Sequence, residues 1–84
     1  MTWRPSLARA VVLRHDRVRG TDLLLVPERV VVLHGRAGEV LRRCDGNRAV
    51  AEIVAELAEA FPDAPVVAEV PEFLGALQRE GWLR

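Results

Sequence analysis

The chain has 84 residues and as many acidic as basic side chains, twelve of each, so its net charge is zero. Half of the residues are apolar, which supports a core and excludes a disordered segment, but a chain this short buries only about 60–65% of its unfolded surface and leaves little room for an enclosed active site. No apolar run approaches ~18 residues, so no transmembrane span is expected.

In Met1-Thr2-Trp3-Arg4-Pro5 a single charge is not followed at once by an apolar stretch, so no secretory signal is expected and the chain reads as cytoplasmic. Residues 1–6 read as a flexible lead-in to one domain spanning 1–84. Ala10 to Leu13 and Asp22 to Val26 are short strand-forming runs, and Arg19-Gly20-Thr21 supplies the turn between them. Val30-Val31-Val32-Leu33 carries the strongest strand signal. Pro27-Glu28-Arg29 joins it to the second strand as a tight hairpin, with Pro27 in the turn because it has no amide proton.

After Leu33 the period changes. Ala37, Val40, Leu41 and Cys44 fall at helical spacing, which predicts a short helix over Gly35 to Arg43 ended by Asp45-Gly46-Asn47, with Gly46 in a left-handed conformation. Val50, Ile53, Val54, Leu57, Ala58 and Phe61 form an apolar stripe opposite Glu52, Glu56 and Glu59, so a second helix runs to Pro62. A third helix is predicted over about Val67 to Arg79, with Val70, Phe73, Leu74 and Leu77 inward; Pro71 moves its regular part to begin nearer Val70. Gly81 closes it, and Trp82-Leu83 fold back onto the core. The order is βββααα: an α+β arrangement with a three-stranded antiparallel sheet followed by three helices, similar to a winged helix-turn-helix.

Catalytic chemistry finds few residues to use. Ser6 is the only serine, Cys44 the only cysteine, and lysine and tyrosine are absent. One sulfur excludes an intrachain disulfide and a thiol-based zinc site, and His15, His34 and Cys44 show no ligand spacing. No glycine-rich phosphate loop is present. The glutamates of the second helix read as a solvated face. No catalytic, metal or cofactor site is therefore expected. Residues 1–48 hold ten arginines against five acids, and residues 49–84 two against seven. That asymmetry either steers a charged partner or is an ordinary solvated surface.

The remaining feature is the third strand. Alternation puts Val31 and Leu33 on one face and Val30 and Val32 on the other. Leu33 leads into the first helix, so its face is the core face. If the strand lies at an edge, its unpaired backbone can accept a guest strand by β-augmentation, with the third helix as the other wall of a groove. Coverage of Val30 and Val32 within the domain, or by a second copy, is the alternative.

Leu24-Leu25-Val26-Pro27-Glu28-Arg29-Val30-Val31-Val32-Leu33 resembles the LL-x-P-E-G-x-x-x-L-N segment of the PqqD family. Cys44-Asp45-Gly46-Asn47-Arg48 is similar to its C-D-G-x-R turn, and Val70-x-x-Phe73-Leu74 and Gly81-Trp82-Leu83 to its last helix and tail. The resemblance runs from about Pro5 to Leu83. Two positions depart from it: Arg29 stands at the usual turn glycine, and His34 replaces an asparagine cap.

The resemblance implies a peptide-recognition element without catalytic activity, which acts in pyrroloquinoline quinone (PQQ) biosynthesis. Such proteins bind the ribosomal precursor peptide PqqA and form a ternary complex with PqqE, a radical S-adenosylmethionine enzyme that cross-links a Glu and a Tyr of the peptide. Carried onto this chain, the peptide region comprises Val30, Val31, Val32, Leu33 and His34 on the strand and Val70, Phe73, Leu74, Leu77 and Gln78 on the facing helix. Service to another ribosomal peptide pathway is the nearest alternative. A winged-helix nucleic-acid binder is a more distant one, disfavoured because the third helix sets Glu69, Glu72 and Glu80 against Arg79. Self-pairing of the valine strand is a third, so both monomer and homodimer remain open.

Overall fold

The structure, a computed structural model, describes residues 2–84 and follows the predicted element order. It runs β1 (Val12–Asp16), β2 (Thr21–Val26), β3 (Arg29–Leu33), α1 (Ala37–Arg42), α2 (Val50–Ala60) and α3 (Val66–Arg79). The strands form one antiparallel sheet in the order β1-β2-β3. Leu24 opposes Leu13 and Val31 in neighbouring strands, and the inner face of the sheet lies under the helices. The core gathers Leu24, Leu41, Ile53, Leu57 and Leu74, each at most 2% exposed. Each contributes about 1.5–3 kcal/mol through its burial.

Three boundaries differ from the sequence reading. β1 continues past Leu13 through Arg14, His15 and Asp16, because backbone pairing with Leu23, Asp22 and Thr21 sets its length rather than side-chain hydrophobicity. α1 does not include Gly35, whose φ of 59° is left-handed and so lies outside the helix. α3 begins at Val66 and runs through Pro71 without interruption. The amide missing at Pro71 leaves the carbonyl of Val67 without its helical partner, and Val67 is 73% exposed, so water can satisfy that carbonyl.

Residues 2–6, read from the sequence as a mobile lead-in, are tied to the body of the fold; Met1 lies outside the described residues. Ser6 and Arg84 exchange two backbone hydrogen bonds of 2.9 Å, and the Gly46 amide donates to the Pro5 carbonyl at 2.9 Å. Gly81 ends α3 at φ 83°, and Leu83 folds back to 3% exposure opposite Leu7. Glu56, on the expected solvated face, accepts from both Arg43 and Arg48, so an acid of the second half is paired with two arginines of the first.

The β2–β3 connection has two residues, Pro27 and Glu28, and Glu28 carries the only positive φ outside glycine among the described residues, 71°. Proline fixes φ at the first turn position, so the second takes the left-handed conformation of a type II turn. The positive φ thus falls on Glu28, one residue before the Arg29 that departs from the family glycine, and Arg29 already belongs to β3. A left-handed non-glycine residue costs about 1–2 kcal/mol, against about 0.5–1 kcal/mol for ordering a glycine. Glu28→Gly is therefore expected to stabilise the fold by roughly 0.5–1 kcal/mol. Urea unfolding will read this as a higher midpoint with an unchanged slope.

Candidate functional site

β3 pairs with β2 only, so its other edge is open. The two-residue turn makes Val26↔Arg29 the hydrogen-bonded closing pair of the hairpin. Alternation along an antiparallel ladder then turns the backbone of Val31 and Leu33 toward β2 and that of Val30 and Val32 toward the free edge. The side chains of Val30 and Val32 are also exposed, at 58% and 45%. A short edge thus offers two amides and two carbonyls beside two apolar side chains.

Next to this edge lies a cleft of about 590 Å³, within the 300–1,000 Å³ of ordinary ligand sites. Val31, Val32, Leu33 and His34 line one side, and Val66, Glu69, Val70, Phe73 and Leu77 of α3 the other, with Leu24, Val40 and Leu57 also in the lining. β3 and α3 run in opposite directions along it. The Arg29 guanidinium, at the start of β3, sits 5.0 Å from the ring centre of Trp82 and 3.9 Å from Glu80, both just past the end of α3. Arg36, just past the end of β3, lies 4.6 Å from the ring centre of Phe61, shortly before α3 begins. Arg36 and Trp82 both border the cleft and so mark its two ends.

Of the residues singled out in the sequence, Val31, Val32, Leu33, His34, Val70, Phe73 and Leu77 meet at this cleft. Leu74 does not, because it is fully buried in the core and presents no surface to a ligand. Gln78 is exposed on α3 but does not line the cleft, and Val30 reaches the edge through its backbone while its side chain lies on the outer sheet face. Trp82, Arg36, Glu69, Val66 and Pro65 join the lining without having been singled out for it. Trp82 carried a signal, since an aromatic residue directly after a helix-ending glycine is placed to fold back. Arg36 carried none, because its position depends on the ring of Phe61.

No cysteine, serine, threonine, lysine or tyrosine lines the cleft. Cys44 is buried away from it, with its thiol donating to the Val40 carbonyl at 3.5 Å. Burial, and secondarily the negative charge of Asp45, pushes that thiol up to about 11. It therefore stays protonated at neutral pH and is a poor nucleophile. No cluster of three or more metal-ligating side chains occurs among the described residues. No helix among them is long and apolar enough to cross a membrane. The arrangement can bind an extended apolar segment through backbone and side-chain contacts.

Comparison with known proteins agrees with this architecture. The family of coenzyme PQQ synthesis protein D (PqqD) matches residues 10–83. A protein of Xanthomonas oryzae pv. oryzae named PqqA binding protein is 43% identical over 83 residues, covering 96% of this chain and 90% of its own. A Pseudomonas aeruginosa protein of the same name is 38% identical over 80 residues, covering 94% and 87%. The solution structure of the PqqD truncation of Methylobacterium extorquens PqqCD, described as a functional, stand-alone recognition element for ribosomally synthesised and post-translationally modified peptides, aligns with a TM-score of 0.78 at 34% identity over 95% of this chain and 87% of its own. With an open third strand facing the last helix, a matching sequence over nearly its whole length and a matching fold, the chain belongs to the PqqD family.

Proposed function

We infer that this protein is a peptide chaperone of PQQ biosynthesis: it binds the precursor peptide PqqA along β3 and against α3, and presents it to a PqqE-type radical S-adenosylmethionine enzyme. The observation that carries this reading is the open β3 edge lying directly beside the apolar cleft. The peptide backbone pairs with Val30 and Val32, which fixes its register, and alternate peptide side chains enter the cleft toward Val70, Phe73 and Leu77. Leu33 and His34 complete the strand wall. Relatives at 38–43% identity are named for PqqA binding, which supports the choice of peptide. No bond is made or broken by this chain, and it needs no cofactor. It acts by holding the peptide near the enzyme, which raises local concentration to the mM range typical of short tethers. The acidic third helix, with Glu69 and Glu72 exposed, speaks against entry into a nucleic-acid groove.

Titration of the labelled protein with the PqqA precursor of Xanthomonas oryzae tests the reading by amide NMR. Shifts are expected to concentrate in residues 30–34 and along α3, with the amides of Val30 and Val32 gaining protection from exchange. An unchanged spectrum at millimolar peptide, or shifts confined to β1 and α2, would overturn it.

A further inference from the structure

We propose that Arg36 is a specificity residue of the cleft, which pairs with a carboxylate side chain of the bound peptide at the end of the segment that lies along β3. The inference rests on the peptide-binding reading above and adds to it a chemical class for one peptide position. Arg36 follows the last residues of β3 and borders the cleft, and its guanidinium lies 4.6 Å from the centre of the Phe61 ring. Stacking on an aromatic face holds a guanidinium in place and leaves its edge, with the N–H donors, free for a planar partner. Arg29, at the opposite end, is arranged differently: it has Glu80 within 3.9 Å as well as the Trp82 ring. Arg42, Arg43 and Arg48 each hold a carboxylate at 3.4 Å or less. Arg36 makes no ion pair among the described residues.

Glu69 is the one carboxylate that lines the cleft, on the facing wall, and it makes no ion pair with Arg36. A peptide strand on the β3 edge would lie between these two walls. An acidic side chain at that end finds the guanidinium fork beside Ala64 and Pro65; a bidentate pair there is shorter and stronger than a single hydrogen bond, and because Arg36 is exposed it is screened by salt. The outward row of apolar contacts then continues toward Trp82. The cleft is thus asymmetric along its length, with an arginine free of any ion pair among the described residues at the end where Glu69 stands on the facing wall, and an aromatic ring covered by an ion-paired arginine at the other. That asymmetry also fixes which way round a peptide can lie.

The test is a double-mutant cycle read by fluorescence anisotropy. The probes are the labelled Xanthomonas oryzae PqqA peptide and a set of variants in which each Asp or Glu is changed singly to its amide. The proteins are wild type, Arg36→Gln and Glu69→Gln. Arg36→Gln is expected to weaken binding of the unmodified peptide by about tenfold. One amide variant should bind wild type equally weakly and lose nothing further with Arg36→Gln, and the coupling should shrink with added salt. Equal loss for every peptide variant would reveal only the removal of stacking on Phe61 and would overturn the proposal. A matching loss from Glu69→Gln would assign the effect to closure of the cleft between its own walls and would overturn it too. If wild type binds none of the peptides, the peptide-binding reading itself fails; if it binds and no coupling is found, only the role of Arg36 does.

Discussion

Val32→Pro is expected to weaken binding of a PqqA precursor peptide by about 30- to 150-fold while the protein stays folded, and Val31→Pro to do the reverse. The two residues are neighbours on one strand, yet the ladder register separates their roles. Val31 opposes Leu24, which is fully buried, and belongs to a hydrogen-bonded pair counted from the Val26↔Arg29 closure. Removing its amide deletes an internal ladder bond and strands a buried carbonyl, at a cost of roughly 2–4 kcal/mol to the fold. Val32 opposes Leu23 in a non-hydrogen-bonded pair, so its amide faces the open edge. Proline is tolerated on an edge strand when the missing N–H faces solvent. The fold therefore loses little, but a guest strand loses a backbone bond and meets the pyrrolidine ring where its carbonyl should approach, together about 2–3 kcal/mol. Urea unfolding followed by circular dichroism reads the first quantity and anisotropy with the labelled peptide the second. Wild-type affinity in folded Val32→Pro would remove the edge from the binding mechanism.

What the sequence revealed was what depends on local periodicity. Three successive valines, a stripe from Val50 to Phe61 and a proline beside it were enough to order the elements, because a strand or an amphipathic helix is written into its own spacing. The lining of the cleft was legible in part. Val31 and Leu33 faced inward as alternation required, and Val70, Phe73 and Leu77 reached the cleft. Leu74 falls outside the cleft because a helix one step from a groove residue turns into the core, and spacing alone does not say where the groove wall ends. The start of α3 was hidden because the tolerance for Pro71 depends on the exposure of Val67, a tertiary fact. Arg36 was invisible for the same kind of reason: its neighbour Phe61 is twenty-five positions away, and only packing joins them. Residues whose role is set by a distant partner need the fold; those whose role is set by their neighbours do not.

Gly38 belongs to the first group, and its replacement by alanine is expected to destabilise the fold although helix propensity alone predicts the reverse. It sits inside α1, where glycine costs about 1 kcal/mol relative to alanine by helix propensity alone. By propensity, therefore, Gly38→Ala should stabilise. The packing reverses the sign. Gly38 is buried, and a methyl group added there would overlap the carboxylate of Asp22, which approaches from β2. That carboxylate is not free to swing aside: its Oδ1 accepts from Arg42 at 2.8 Å and from the His15 ring nitrogen at 2.8 Å. To admit the methyl, the protein must break this pairing or push α1 away from the sheet, and over-packing of this kind costs about 1–3 kcal/mol. Loss of the Asp22 contacts adds about 1 kcal/mol and the propensity gain offsets as much, so a net destabilisation of about 1–3 kcal/mol is expected for Gly38→Ala, more for Gly38→Val. The double variant Asp22→Ala/Gly38→Ala separates the causes. Asp22→Ala alone should cost about 1 kcal/mol, since both its partners are substantially exposed. With the carboxylate gone, the added methyl no longer overlaps it and meets the Cβ of residue 22 at 3.0 Å, so the double variant should be more stable than Gly38→Ala. Unfolding midpoints of the four proteins close the cycle. A double variant no more stable than Gly38→Ala would place the clash elsewhere than on Asp22 and leave the glycine of the first helix without a steric cause.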